Sequence, residues 1–152
     1  MTKMSNAKID KFKERKEARE AAMTLLYSLG YTPDTVEYQI ECFMEEEHVK
    51  NFSKKALDYI MDVARGTLDK LPEVDEFIKK YCQDWSFDRI APVDVAVLRL
   101  AIYEMLYRKD IPRTVSINEA VNIAKKYGHD DSQNFVNGVL GSIYKELEEV
   151  KE

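Results

Sequence analysis

The residues best suited to chemistry lie near the carboxyl end, in the run Asn134-Phe-Val-Asn-Gly138. On a helix, Asn134 and Asn137 lie one turn apart, so that their amides can project from the same side. Phe135 stands between them, and an aromatic ring near a helix start can stack on a nucleobase. A core position for Phe135 and solvated amides are the simpler explanations of the same residues. A structural role and contact with a nucleobase both remain open for this run.

Two glycines inside this last helix need a separate explanation. Gly138 and Gly141 each destabilise a helix interior by roughly 1 kcal/mol relative to alanine. Either a neighbouring helix packs closely against this face, or an outside molecule approaches the backbone there. The pattern alone favours close helix packing.

Catalytic and metal-binding motifs are missing from the sequence. It has no Gly-rich phosphate loop, no HExxH, and no Ser–His or Cys–His pair at a supporting spacing. Helix capping explains the acidic pair Asp130-Asp131 before acid–base catalysis does. Cys42 and Cys82 form no CxxC motif, so we expect reduced thiols and no zinc site. The sequence predicts a protein that is not an enzyme, with no cofactor and no metal.

The charge of the chain is uneven along its length. Net charge is −5, yet the first 19 residues hold seven basic and three acidic side chains, which makes this segment +4. A cationic end on an acidic body predicts contact with a polyanion, and a solvated, partly flexible terminus is the alternative. No apolar run is long enough to span a membrane and no leader opens the chain, so we expect a soluble cytoplasmic protein.

Few turn-forming residues and many charges predict long amphipathic helices. The first helix is expected from Ala7 to Leu29, with an apolar stripe at helical spacing. Pro92 opens a helix that is apolar nearly all round, so its Arg99 needs a charge partner. The stripe of the first helix comprises Ala18, Ala21, Ala22, Leu25, Leu26 and Leu29.

Capping signals define the last two helices. Ser116 and Glu119 have the spacing of a capping box, so Ser116 is the predicted N-cap, and Gly128 is the predicted end of that helix. Asp131 or Ser132 is expected to cap the final helix. The whole chain, residues 1–152, is predicted to form one domain of about seven helices without a confident strand.

Several blocks of this sequence resemble the NusB family of bacterial transcription antitermination factors in order and spacing. The blocks are Pro92-Val-Asp-Val-Ala-Val-Leu-Arg-Leu-Ala-Ile-Tyr-Glu104, Ile111-Pro112, Ile117-Asn-Glu-Ala120 and Phe135-Val-Asn-Gly-Val-Leu140. The earlier pieces Ala18-Arg19-Glu20 and Leu26-Tyr27 fit the family's opening helix. The resemblance extends from about Arg15 to Leu147.

The resemblance implies an all-α, compact bundle in two helical subdomains. It also implies binding of single-stranded boxA RNA together with NusE, a small-subunit ribosomal protein. In that role the complex helps RNA polymerase to read through terminators, notably on ribosomal RNA operons. Family members occur as monomers and as dimers, so a homodimer stays open.

The family's functional positions transfer to this chain one by one. Its arginine-rich motif falls on Arg15, Lys16 and Arg19, although Glu17 stands where many members have a basic residue. The rest of the implied RNA surface is Asp131, Ser132, Phe135 and Asn137. The implied face for the ribosomal protein includes Tyr27 and Asp94. Cations on phosphates and rings on bases are the usual means of binding single strands.

Two other functions remain compatible with the residues. A helical protein-interaction adaptor without strong RNA binding is favoured by Glu17 and by the acidic net charge. A detached domain related to the helical domain of some ribosomal RNA cytosine methyltransferases is the other. The chain ends at Glu152, which we expect to leave no room for a methyl-donor domain.

Overall fold

The described part of the computed structural model comprises residues 3–29, 35–82 and 89–150, with side chains from residue 11 onwards. These residues contain helices and no strand, which confirms the all-α prediction. None of the described helices is long and apolar enough to cross a membrane. The helices are α1 (Lys3–Leu29), α2 (Val36–Met44), α3 (Glu47–Lys50), α4 (Lys54–Asp69), α5 (Leu71–Tyr81), α6 (Pro92–Tyr107), α7 (Arg113–Tyr127) and α8 (Ser132–Val150).

The chain divides into two compact units, Met1–Ala64 and Arg65–Glu152, and the boundary falls within α4. Two units agree with the two helical subdomains that the family resemblance implies. Function as one RNA-binding domain over residues 1–152 stays a prediction.

Unit 1 is organised by the apolar face of α1. The predicted stripe is buried from Ala18 to Leu26, because these residues recur every three or four positions on one side of the helix. Tyr59, Ile60 and Val63 of α4 are also buried in this unit. The helix begins at Lys3, earlier than expected, so the basic segment belongs to α1.

Unit 2 is built around α6, which packs against α5, α7 and α8. Its residues from Val95 to Met105 are buried except Arg99, as expected for a helix that is apolar nearly all round. Arg99 has the partner that burial requires, because its Nε and a terminal nitrogen each donate to Asp75 at 2.9 Å. This bidentate pair joins α5 to α6 and confirms the expected pairing of Arg99.

The predicted N-cap at Ser116 is wrong. Helix α7 begins at Arg113 with Pro112 in the cap position, so Ser116 lies within the helix and is buried. Its hydroxyl donates to Oε1 of the buried Glu104 at 2.8 Å. A buried carboxylate needs hydrogen-bond donors, and this need explains a serine that the capping pattern misassigned. Gly128 ends α7, as predicted.

Candidate nucleic-acid interface

The basic face of α1 is arranged around the ring of Tyr59 on α4. The guanidinium carbon of Arg15 lies 4.3 Å from the ring centroid, and that of Arg19 lies 5.6 Å from it. Attraction between a cation and the face of an aromatic ring orients both side chains. Tyr59 is buried and therefore acts as a fixed support. Sequence reasoning missed this residue, because its helical spacing is explained by the core alone.

The three predicted phosphate-binding residues differ in exposure. Lys16 is exposed and Arg15 is half-buried, whereas only 4% of Arg19 is accessible to solvent. Glu17, the acid within the basic motif, is exposed. Lys16 and Arg15 therefore present charge to a ligand, while most of Arg19 contributes to the interior of unit 1.

A second connection fixes α1 against the start of α4. The backbone N–H of Ser53 donates to Oε2 of Glu14 at 2.9 Å, and the Ser53 hydroxyl donates to Oε1 at 2.7 Å. The same hydroxyl accepts the N–H of Ala56 at 3.2 Å, which makes Ser53 the N-cap of α4. Glu14 thus ties the basic segment to α4, although the sequence separation of 39 residues hides this contact.

In unit 2, the buried Ser132 is the first residue of α8 and contacts the loop that follows α7. Ser132 is 2% exposed, and its Oγ accepts the backbone N–H of His129 at 2.9 Å. A Cβ atom at Gly128 would lie 2.5 Å from this Oγ, so the loop requires glycine at that position. Asp131 is exposed and Phe135 is half-buried beside the loop. Of these three predicted RNA contacts, Ser132 is the buried one, and its hydroxyl oxygen accepts a hydrogen bond from the protein backbone.

The structure brings Asp94 to the same surface depression as three predicted RNA contacts. Asp94, Asp131, Ser132 and Phe135 all line a depression of about 390 Å³. Asp94 is 6% exposed, and its Oδ1 has no hydrogen-bond partner among the described residues. A buried acceptor left without a donor costs about 1–3 kcal/mol.

Asn137 belongs to a different depression, which lies between α7 and α8. This depression has a volume of about 480 Å³ and is lined mainly by amides, including Asn118 and Asn122 of α7. The amides of Asn134 and Asn137 both line it, as their spacing on one helix face predicted. The α7 side of this depression could have been predicted from the spacing of Asn118 and Asn122, which are four residues apart. The sequence analysis did not identify these two residues.

The preferred explanation of the helix glycines is wrong. A Cβ atom at Gly138 or at Gly141 would meet no atom of the described residues within 4 Å. No described helix therefore packs closely there. The remaining explanation is approach by an outside molecule, which makes this face of α8 a candidate contact surface.

The two residues expected at the protein-partner face lie in different units. Tyr27 is 39% exposed on α1 of unit 1, whereas Asp94 lies in the first turn of α6 in unit 2. Tyr27 offers an accessible ring with a polar tip, a residue type enriched at protein interfaces. Asp94 is only 6% exposed, so little of its carboxyl group reaches the surface.

A family model described as the NusB family matches residues 16–145 of this sequence. The chain belongs to the NusB family. Among curated relatives, the transcription antitermination protein NusB of Acetivibrio thermocellus is 44% identical over 131 residues, which cover 86% of this chain and 88% of the relative. The Bacillus subtilis protein of the same name is 40% identical and covers 90% and 98%.

Solved structures agree with this membership. NusB of T. maritima superposes with a TM-score of 0.79 at 38% identity, over 87% of this chain and 91% of that one. A chain from a complex of the antitermination factors NusB and NusE with double-stranded RNA gives a TM-score of 0.77 at 30% identity, over 88% and 97%. These comparisons confirm the family of transcription antitermination proteins and the all-α fold.

Proposed function

We propose that this protein binds the single-stranded boxA element of nascent RNA together with the ribosomal protein NusE. Within a cytoplasmic antitermination complex it would help RNA polymerase to read through terminators on ribosomal RNA operons. The observation that carries the proposal is the basic face of α1, where Tyr59 orients Arg15 beside the exposed Lys16. A similar chain solved with NusE and double-stranded RNA supports NusE and RNA as the two partners, and the family resemblance supports the single-stranded boxA element.

In unit 1, Lys16 and Arg15 contact phosphates. Exposed Lys16 supplies a mobile point charge, and Arg15 supplies a planar donor group that the Tyr59 ring orients in advance. Arg19 adds positive potential and packs beneath them, since it is almost fully buried. Phosphate contacts of this kind give affinity that falls as salt rises.

In unit 2, the residues around the start of α8 read the bases. Phe135 provides the stacking ring, and Asn137 provides an amide that can donate and accept along a base edge. Exposed Asp131 accepts amino groups of bases, and Ser132 positions the loop through its bond to His129. The absence of described atoms around Gly138 leaves room for RNA beside α8.

The ribosomal partner is proposed to use Tyr27 and Asp94. Ribosomal proteins are usually cationic, and a lysine or arginine side chain would give the buried Asp94 carboxylate the donor that it lacks. RNA polymerase, and a homodimer that covers the RNA surface in the absence of RNA, belong to the same proposal.

The alternative function is a helical adaptor that binds protein and not RNA. Exposed Glu17 within the basic motif and the net charge of −5 favour it, because both weaken attraction for phosphates. A detached methyltransferase-type domain would share the fold but would not need the NusE contact.

The paired substitutions Lys16→Ala and Asp94→Asn separate these functions. Lys16→Ala should weaken binding of boxA-like RNA and leave NusE binding intact. Asp94→Asn keeps the shape of the side chain and removes its charge, so it should weaken NusE binding and leave RNA binding intact. Asp69→Asn, an exposed change at the end of α4, is the matched control for charge. No RNA binding by the parent protein, with NusE binding lost in Asp94→Asn, would favour the adaptor, whereas RNA binding that resists Lys16→Ala would only remove Lys16 from the RNA contacts.

A further inference from the structure

The first half of α1 is a feature that the family match does not include. The match begins at residue 16, whereas α1 begins at Lys3 and continues without a break. Phe12 lies in this preceding half and is 66% exposed, more than any other described aromatic side chain. A phenylalanine ring has no polar atom, so an exposed ring can be covered by a flat ligand without loss of a hydrogen bond to water.

Phe12 and its neighbours on two helices form a shallow depression of about 410 Å³. Lys11 and Arg15 line it from α1, and Lys55 lines it from α4. This volume lies within the range of roughly 300–1,000 Å³ that is usual for small-molecule sites. The depression therefore combines an exposed ring with basic side chains from two helices.

The geometry around the ring is held in place by contacts already described. Glu14 is the acid in the lining, and both of its carboxylate oxygens accept hydrogen bonds from Ser53. This connection fixes the separation of α1 and α4 at the depression, and it directs the Glu14 charge toward Ser53. Arg15 rests on Tyr59, so that one wall is preorganised.

We propose that Phe12 and its basic rim are an additional nucleotide-binding subsite for single-stranded RNA. One unpaired base stacks on the Phe12 ring, and the phosphates on either side contact Lys11, Arg15 and Lys55. Stacking on phenylalanine accepts any base, since every base has a π-face. This inference rests on the proposed function and extends its RNA surface along α1.

Charge and position favour RNA over other occupants of this surface. Phe12 lies three and four residues before Arg15 and Lys16, so the ring shares a helix face with the proposed phosphate contacts. An anionic polymer with flat bases matches a ring with a cationic rim. A protein partner that is itself cationic, such as a ribosomal protein, would be repelled by the same rim.

The test uses the full chain and a labelled boxA-like strand that carries extra unpaired nucleotides at both ends. Phe12→Ala should weaken binding by about fivefold or more, the usual loss when one stacked base is removed. The slope of log affinity against log salt should stay unchanged, because no charge is lost. Lys55→Ala should instead lower that slope by roughly 0.7, the value for one phosphate contact on a single strand.

Controls separate stacking from other effects. Tyr38→Ala removes another exposed aromatic of unit 1 outside the basic segment and should leave RNA binding unchanged. Phe12→Trp keeps a stacking surface and should retain or improve affinity. Because Phe12 is exposed, its variants should melt at the temperature of the parent protein.

Three results would overturn the inference. Equal RNA affinities of Phe12→Ala and the parent would remove the subsite and leave the proposed function standing. Loss of NusE binding in Phe12→Ala, with RNA binding intact, would assign the ring to a protein contact. An absence of RNA binding by the parent, with and without NusE, would remove the subsite and the proposed function together.

Discussion

Substitutions at two basic residues of α1, Lys16 and Arg19, should affect different properties of the protein. Lys16 is exposed, whereas Arg19 is buried and lies near the Tyr59 ring. Charge at an exposed position acts mainly on a ligand, while the carbon stem of a buried arginine also packs the interior. Exposure therefore decides which residue governs binding and which governs stability.

Lys16→Ala should weaken RNA binding and lower the slope of log affinity against log salt by roughly 0.7 of a unit. Its melting temperature should equal that of the parent, because surface substitutions away from special features change stability by less than about 0.5 kcal/mol. Anisotropy titrations at several salt concentrations measure the slope. An unchanged slope would remove Lys16 from the phosphate contacts.

Arg19→Ala should lower the free energy of unfolding by about 1–3 kcal/mol, as expected for loss of a buried, packed side chain. RNA affinity should also fall, because Arg19 contributes positive potential near Arg15. Urea unfolding measures the first effect. Stability equal to that of the parent would mean that the arginine stem does not contribute to the core of unit 1.

At the scale of single residues, the sequence predicted that a side chain requires a charge partner better than it predicted which residue that partner is. The apolar surroundings of Arg99 on α6 implied a charge partner, and Asp75 supplies it. The identity of Asp75 could not be predicted, because contacts between helices depend on their packing. Tyr59 beneath Arg15 was hidden for the same reason.

At the scale of helices, local patterns predicted the elements but not every boundary. The spacing of apolar residues predicted which face of α1 is buried. It also predicted that α6 is buried on most sides, as its packing against α5, α7 and α8 shows. The prediction that Ser116 is the N-cap of α7 was wrong, because the helix begins at Arg113 with Pro112 as its N-cap. The Ser116 hydroxyl donates instead to the buried Glu104. The short helix α3 begins at Glu47, within an acidic run whose pattern carries no clear helix start signal.

Gly138→Ala should stabilise the protein by about 1 kcal/mol, the propensity difference between glycine and alanine in a helix interior. The new methyl group meets no described atom within 4 Å, so no clash opposes this gain. Thermal melts test the stability, with Gly128→Ala as the matched contrast that should destabilise because it clashes with Ser132. A lower melting temperature for Gly138→Ala would show close packing at this face after all.

If RNA passes beside this face of α8, Gly138→Ala should weaken RNA binding while it stabilises the fold. The two effects have opposite signs, so they cannot arise from partial unfolding. Full RNA affinity in the stabilised variant would exclude close approach of RNA at this glycine.

The contact between α5 and α8 should make stability depend on pH. Hydrogen bonds from Lys80 at 2.7 Å and from Tyr81 at 2.5 Å hold the pKa of the Glu146 carboxyl below its ordinary value. A folded-state pKa below the unfolded one stabilises the protein above the unfolded pKa. This contribution is lost as pH falls through the folded pKa.

Glu146→Gln should therefore melt below the parent near neutral pH, and the difference should shrink as pH falls below about 4. Glu41→Gln, an exposed change elsewhere, is the control and should track the parent at every pH. Melting temperatures measured across this range test the prediction. A difference that grows at acid pH would contradict the assigned direction of the Glu146 pKa.

At the scale of the whole molecule, the fold and the family were predictable from the sequence. The candidate nucleic-acid interface was predictable only in part. The order and spacing of the blocks from Pro92 to Leu140 indicated the family, and the family model that matches residues 16–145 confirms it. These blocks lie in unit 2. Asp94 and Phe135 were assigned to different partners, yet they line one depression. Whether protein and RNA compete or cooperate there depends on binding, which the residue pattern does not encode.

The central claim is that this acidic protein binds single-stranded RNA through a basic face, and more tightly with its ribosomal partner. The most direct test is fluorescence anisotropy of a labelled boxA-like strand, with and without NusE, at two salt concentrations. A duplex of the same sequence is the control. We predict binding that weakens as salt rises, strengthens with NusE and prefers the single strand. An absence of binding to the single strand even with NusE present would contradict the claim and leave a protein-binding helical adaptor.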